Sequence, residues 1–156
     1  MLETTFRQAT ANDAEAVLAI GHQLWDEMGE RSGFTQRPTA EGIAPLLAGE
    51  GGAVFVCAVS AGGQERGGGV CGFSLLAPDL SDPEGAVMGV WLLPEARRKG
   101  IGRELALMAT DHARTLGYKR LRGLIPKQNE PALSFFSDIG SLAQMVGQGM
   151  QYELPL

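Results

Sequence analysis

The stretch from Ala86 to Gly117 constrains the fold more than any other part of this chain. Ala86-Val87-Met88-Gly89-Val90-Trp91-Leu92-Leu93 is an apolar run of strand length, stopped by Pro94. Proline ends such a run because it has no amide hydrogen to give a sheet ladder. A basic, glycine-containing loop follows. After it comes the clearest helix, Arg103 to Leu116, with Leu105, Met108, Ala109, His112, Ala113 and Leu116 on one face and Gly117 at the C-terminal cap. Strand, tight loop and amphipathic helix together require a fold that covers a sheet with helices.

The remaining segments extend that alternation. Thr5-Phe6-Arg7-Gln8-Ala9 alternates as a half-buried strand does. Thr10 to Asp13 offers helix-start side chains, and Ala14, Val17, Leu18, Gly21, Leu24, Trp25 and Met28 follow at helical spacing. Thr39 to Leu47 reads as a short second helix that Pro45 should interrupt. Ala53–Val59 and Gly69–Leu76 read as the arms of a hairpin, and Leu121–Ile125 as a later strand. Pro131–Ile139 reads as a short helix ended by Gly140, and Leu142–Val146 and Met150–Leu154 as closing strands. The order β-α-α-β-β-β-α-β-α-β-β predicts an α+β, or mixed α/β, fold around one sheet. A length of 156 residues predicts one domain spanning 1–156.

Composition narrows the function classes. With 44% hydrophobic and 20% charged residues the chain belongs with ordinary globular proteins. Its glycines cluster at 49–52, 62–63 and 67–69, where turns and a loose hairpin tip are expected. A net charge of −5 argues against a nucleic-acid-binding face. No apolar run is long enough for a membrane span, and the acidic first thirty residues lack a secretory h-region, so the expected location is the cytoplasm. Cys57 and Cys71 fall in the two hairpin arms and are expected to face each other as small buried thiols. His22 and His112 lack ligand spacing to them, so no metal site is expected. His112 reads as a hydrogen-bonded core residue, and Tyr118 and Tyr152 as sheet-packing residues.

One site concentrates positive charge: Arg97, Arg98, Lys99 and Arg103, interleaved with Gly100, Ile101 and Gly102. A helix N-terminus presents unpaired amides and a partial positive charge, and so attracts phosphate. Glycines let a ligand approach those amides, and the basic side chains add charge where a diphosphate would lie. Counting excludes two nucleotide motifs. The dinucleotide fingerprint needs a third glycine where Leu105 stands. A P-loop needs Lys-Ser/Thr after its last glycine, and Gly102 is followed by Arg103-Glu104.

Arg97-x-x-Gly100-x-Gly102, preceded by Val90-Trp91-Leu92-Leu93-Pro94, resembles the Q/R-x-x-G-x-G/A signature of the GNAT acetyltransferases. Asn129-x-x-Ala132-x-x-Phe135-Phe136 with Gly140 is similar to that family's N-x-x-A-x-x-F/L-Y-x-x-x-G-F helix. The opening Phe6-Arg7-Gln8-Ala9-Thr10 and the ending Met150-Gln151-Tyr152-Glu153-Leu154 resemble its first and last strands. The resemblance implies a mixed, mostly antiparallel sheet of six to seven strands with about four helices, splayed between strands 4 and 5. It implies acetyl-CoA as co-substrate, with pantetheine along the backbone near Trp91 and Leu92. The pyrophosphate would lie on the amides of Arg98 to Arg103, and Asn129 would bind the pantetheine arm or the adenylate end. The acceptor would be the amine of a small molecule or peptide, and a homodimer is compatible with all of this.

The implied chemistry is direct attack of a primary amine on the thioester carbonyl, with the thiolate leaving. Two departures bear on it. The tyrosine that commonly protonates the thiolate is replaced by Phe136, with Ser134 and Ser137 nearby. The glutamate that histone-type members carry inside strand 4 has no counterpart in Ala86–Met88, which leaves Glu84 as the nearest candidate base. Trp25, Glu27 and Glu30 are candidates for acceptor binding. A non-catalytic acyl-CoA-binding or sensing domain is the rival reading, and both departures favour it.

Overall fold

The computed structural model describes residues 2–32, 34, 36–61, 64–97, 99–125, 142–146 and 149–156. Strand β1 (Leu2–Gln8) leads through a 3-10 turn into helix α1 (Ala14–Met28). Helix α2 (Ala40–Leu47) and strands β2 (Ala53–Ala61), β3 (Gln64–Pro78) and β4 (Gly85–Leu92) follow. Helix α3 (Ile101–Thr115) then precedes β5 (Arg120–Ile125), β6 (Leu142–Val146) and β7 (Gly149–Pro155). The seven strands form one sheet in the order β1-β2-β3-β4-β5-β7-β6. Every pairing is antiparallel except that of β4 with β5.

The local chemistry explains the joints. Thr10 and Asp13 form a capping box, each side chain accepting a backbone amide of the turn that opens α1. Asp13 also takes a two-pronged bond from Arg7 of β1, at 2.7 and 2.8 Å, which ties the end of the first strand to the start of the first helix. Helix α2 is capped by Thr39, whose hydroxyl accepts from Gly42 N. Pro45 lies inside α2 and does not interrupt it. In so short a helix its ring removes one bond, and the helix still closes with Ala48 N donating to Ala44 O.

Two cores lie on opposite faces of the sheet. Leu105, Ala106, Ala109 and Ala113 of α3 pack on Phe55, Leu76, Met88, Leu121 and Tyr152. Val17, Ile20 and Leu24 of α1 and Ile43 of α2 pack on Val54, Val56 and Phe73. Strand β2 contributes to both, which is why Ala53–Val59 is apolar without alternation. Along β4 the pleat sends Ala86, Met88, Val90 and Leu92 to the α3 face, and Trp91 to the α1 face.

Several expectations need correction. Gly67-Gly68-Gly69 is part of β3, whose pairing with β2 runs on to Ala61–Gln64. The long hairpin absorbs these glycines through register shifts near Ala58. Helix α3 begins at Ile101, two residues before Arg103, because Gly100 turns the chain directly into it. His112 is half-buried and meets the Phe55 ring edge-on at 5.6 Å. Cys57 and Cys71 do face each other, with Sγ atoms 3.4 Å apart, both thiols free, Cys57 buried and Cys71 half-buried. The expected helix over 131–139 lies outside the described residues.

Candidate active site

The site grows from the end of β4. Leu93 N donates to the Cys71 carbonyl at 3.0 Å, the last tie to β3. A 3-10 turn over Pro94–Ala96 follows, anchored by the buried Ala96. Arg97 then folds back, its guanidinium donating to the Leu92 carbonyl at 3.2 Å. Gly100 has φ 77 and ψ 2, a left-handed conformation that suits glycine. Among the described residues, nothing beyond its own chain neighbours lies within 4 Å of the place where its Cβ would be, so the turn and not packing calls for glycine. Glu104 N donates to the Gly100 carbonyl as the first helical bond. The amides of Ile101, Gly102 and Arg103 therefore precede the helical ladder and are available to an anion. Lys99 and Arg103 are exposed beside them, which completes a place fit for a diphosphate. Arg98 and Asn129 lie outside the described residues, as do Ser134, Phe136 and Ser137.

Next to this loop the sheet opens. Strands β4 and β5 pair only at Gly85–Arg120, Ala86–Leu121 and Val87–Arg122. Beyond that, Met88–Leu92 and Gly123–Ile125 run without pairing to each other, so the edge of β4 facing β5 is left for another partner. The slot widens toward the glycine loop. At its narrow end the Tyr152 hydroxyl, from β7, donates to the Met88 carbonyl.

Glu84 stands at the opposite end of β4. Its amide donates to Asp82 Oδ1, its carbonyl accepts from Lys119 N, and its carboxylate lies 3.8 Å from the Arg120 guanidinium. At about 3.3 Å per strand residue it is some 20 Å short of Val90. Glu84 thus lies in the turn before β4, at the end where β4 and β5 are paired and away from the unpaired stretch. This closed end holds a cleft of about 320 Å³ lined by Asp79, Ser81, Asp82, Arg120, Arg122 and Glu153. Arg120 binds Asp82 at 2.6 and 2.8 Å, and Arg122 binds Asp79. These bonds hold both carboxyl groups below the usual carboxylate range. The pairs lock the start of β4 onto β5.

The α1 face of the slot has a different wall. The Trp91 ring folds down over Gly89, stacks on Phe34 at 4.3 Å and 6°, and meets Phe73 at 5.2 Å. Its indole N–H donates to the Ser32 carbonyl at 2.8 Å. Trp91 thus contributes a side chain as well as a backbone, and ties the segment after α1 to the strand. Glu27 and Glu30 are exposed near that segment, and Trp25 is half-buried on α1. Sequence reasoning missed Ser32, Phe34, Gly89, Gly123 and the role of Tyr152. The legible signal was a glycine in the middle of each of two apolar strands, which marks a close approach.

A family model described as the acetyltransferase (GNAT) family matches residues 20–140. The chain belongs to the GNAT acetyltransferase family. It is accordingly an acyltransferase. No curated protein matches it at a significant level. Among solved structures, the phosphinothricin acetyltransferase (Pat) from Sinorhizobium meliloti in complex with AcCoA is similar at 20% identity and TM-score 0.78, over 98% of this chain and 88% of that one. The ribosomal-protein-alanine N-acetyltransferase from Brucella melitensis is similar at 22% identity and TM-score 0.76, over 97% and 99%. The protein yncA from Salmonella typhimurium, solved with its cofactor acetyl-CoA, is similar at 19% identity and TM-score 0.78, over 99% and 94%. At these identities the likeness speaks for the fold. Among the described residues no cluster of His, Cys, Asp or Glu could hold a metal, and no helix is long and apolar enough to cross a membrane.

Proposed function

We propose that this chain is an N-acetyltransferase that moves the acetyl group of acetyl-CoA to a primary amine in a ternary complex. The observation that carries the reading is the β4 edge over Met88–Leu92, paired with β3 but not with β5, which leads on to the left-handed Gly100 and the first-turn amides of α3. Pantetheine would lie along Trp91 and Leu92, where Arg97 stiffens the turn by holding the Leu92 carbonyl. The pyrophosphate would lie over residues 98–103, with Lys99 and Arg103 supplying exposed charge. Arg98, Asn129 and Phe136 belong to this cofactor set by their sequence positions.

The amine attacks the thioester carbonyl, the C–S bond breaks, and its electron pair leaves on sulfur. A β4 amide on the edge facing β5 would bind the oxyanion. Neither Met88–Leu92 nor Gly123–Ile125 contains an acidic residue, so water takes the amine's proton. Glu27, Glu30 and Trp25 stand on the α1 side, where an acceptor would approach. The two free cysteines suit a reducing cytoplasm.

The test is acetyl-CoA binding and thiol release over a panel of amines. Acetyl-CoA should raise the melting temperature, and the rise should grow with the logarithm of its concentration once that exceeds the dissociation constant. Gly102→Val, which puts a branched side chain among the first-turn amides, should weaken acetyl-CoA by about tenfold or more while the domain stays folded. Unchanged affinity in that variant refutes the placement of the pyrophosphate.

A further inference from the structure

The slot between β4 and β5 is closed by a side chain from neither strand. Tyr152 of β7 pairs with Gly123 of β5, and its ring crosses that glycine to reach the Met88 carbonyl of β4. A methyl group at Gly123 would stand 2.6 Å from Tyr152 Cε1 and 2.7 Å from the Met88 carbonyl oxygen. The ring thus occupies the room a β5 side chain would take. Pairing between β4 and β5 stops one residue earlier, at Val87–Arg122. The phenol therefore serves the Met88 carbonyl at the first position where β5 no longer offers an amide.

We propose that Tyr152 is a specificity-determining residue, the floor against which the acyl group of the thioester ends, and that it restricts the enzyme to short acyl chains. The inference rests on the reading of the slot as the acyl-CoA site. Tyr152 is fully buried among Leu121, Met88 and α3 side chains, so the ring has no solvent side into which to swing. Burial pushes its phenol well above the ordinary tyrosine value, so it stays a neutral O–H donor across the working pH range. Moving it aside would also leave the buried Met88 carbonyl without its donor. A chain that extends past the acetyl methyl meets a dense wall held at both ends.

The experiment compares the wild-type chain with Tyr152→Leu and Tyr152→Phe, each titrated calorimetrically with CoA, acetyl-CoA, propanoyl-CoA and butanoyl-CoA. No acceptor is needed. One methylene in an apolar pocket discriminates by roughly 10–200-fold, so the ratio of butanoyl-CoA to acetyl-CoA affinity should rise about tenfold or more in Tyr152→Leu. Tyr152→Phe keeps the ring and loses only the hydroxyl, and its propanoyl-to-acetyl ratio should rise about threefold. CoA itself should bind all three alike, which a general loss of structure would not allow. Ratios within about twofold of wild type, with CoA and acetyl-CoA still bound, overturn the role of Tyr152 and leave the site reading intact. Should Tyr152→Leu not fold, the Tyr152→Phe ratio decides alone. Failure of the wild type to bind any of the four would instead sink the site reading, and this inference with it.

Discussion

Replacing Gly89 by alanine tests how the α1 side of the slot is held. A Cβ at position 89 would stand 2.8 Å from Trp91 Cζ3 and overlap the ring still more closely elsewhere, so the indole must leave. Its departure removes the bond to the Ser32 carbonyl, about 0.5–1.5 kcal/mol. It also removes two ring contacts, with Phe34 and Phe73, at about 0.5–1.5 kcal/mol each. Alanine in a strand interior returns about 0.5–1 kcal/mol relative to glycine. The net expectation is a loss of about 0.5–4 kcal/mol. For a chain of this length each kcal/mol lowers the melting temperature by about 2–4 °C. The assay is urea denaturation followed by fluorescence in a Trp25→Phe background, where Trp91 is the only reporter. The emission of the folded variant should shift to the red as the indole leaves its stack for water. An unchanged midpoint with unchanged emission would refute the claim that Trp91 ties the segment after α1 to β4.

Acid stability should report the Arg7–Asp13 pair. The bond from Arg7, with further bonds from Thr10, holds the Asp13 carboxyl below its ordinary value, so the unfolded chain binds more protons in acid. The stabilisation is complete above the unfolded value of about 3.9 and is lost as pH falls through the lower folded one. Asp13→Asn should cost about 1 kcal/mol at pH 7, given the half-exposed Arg7, and the difference from wild type should shrink toward pH 2 in urea titrations. Thiol chemistry should separate the two cysteines. Burial, with the neighbouring Cys71, pushes the Cys57 thiol up to about 12, so at pH 8 an aromatic disulfide reagent should label half-buried Cys71 and spare Cys57 until the chain is denatured.

Much of this fold is legible along the chain because it is local. The stripe Val17-Leu24, the Thr10–Asp13 cap, Pro94 and the Gly117 stop each act within a few residues of themselves, so their patterns survive in one dimension. The glycine loop is legible for the same reason. Positive φ at Gly100 and a helix N-terminus at Ile101 follow from neighbouring residues, and a phosphate site needs little else. Pro45 misled because a proline's effect depends on whether the helix has another turn to lose, which is a matter of where the helix ends.

Pairing between distant segments was decided elsewhere. Nothing near Glu84 says that the slot opens at the other end of β4. That direction follows from Asp79 and Asp82 meeting Arg122 and Arg120, which zip β4 and β5 together at their starts. Nothing near Tyr152 says that its ring crosses Gly123, because the two meet only when β7 inserts between β5 and β6. Trp91 reaches Ser32 and Phe34 across the α1 face by the same kind of long-range closure. Periodicity and turn chemistry are properties of consecutive residues, so the chain alone specifies its elements and its phosphate loop. The shape of the slot depends on which strands become neighbours, a choice made by burial of two whole sheet faces at once and visible only in the folded molecule.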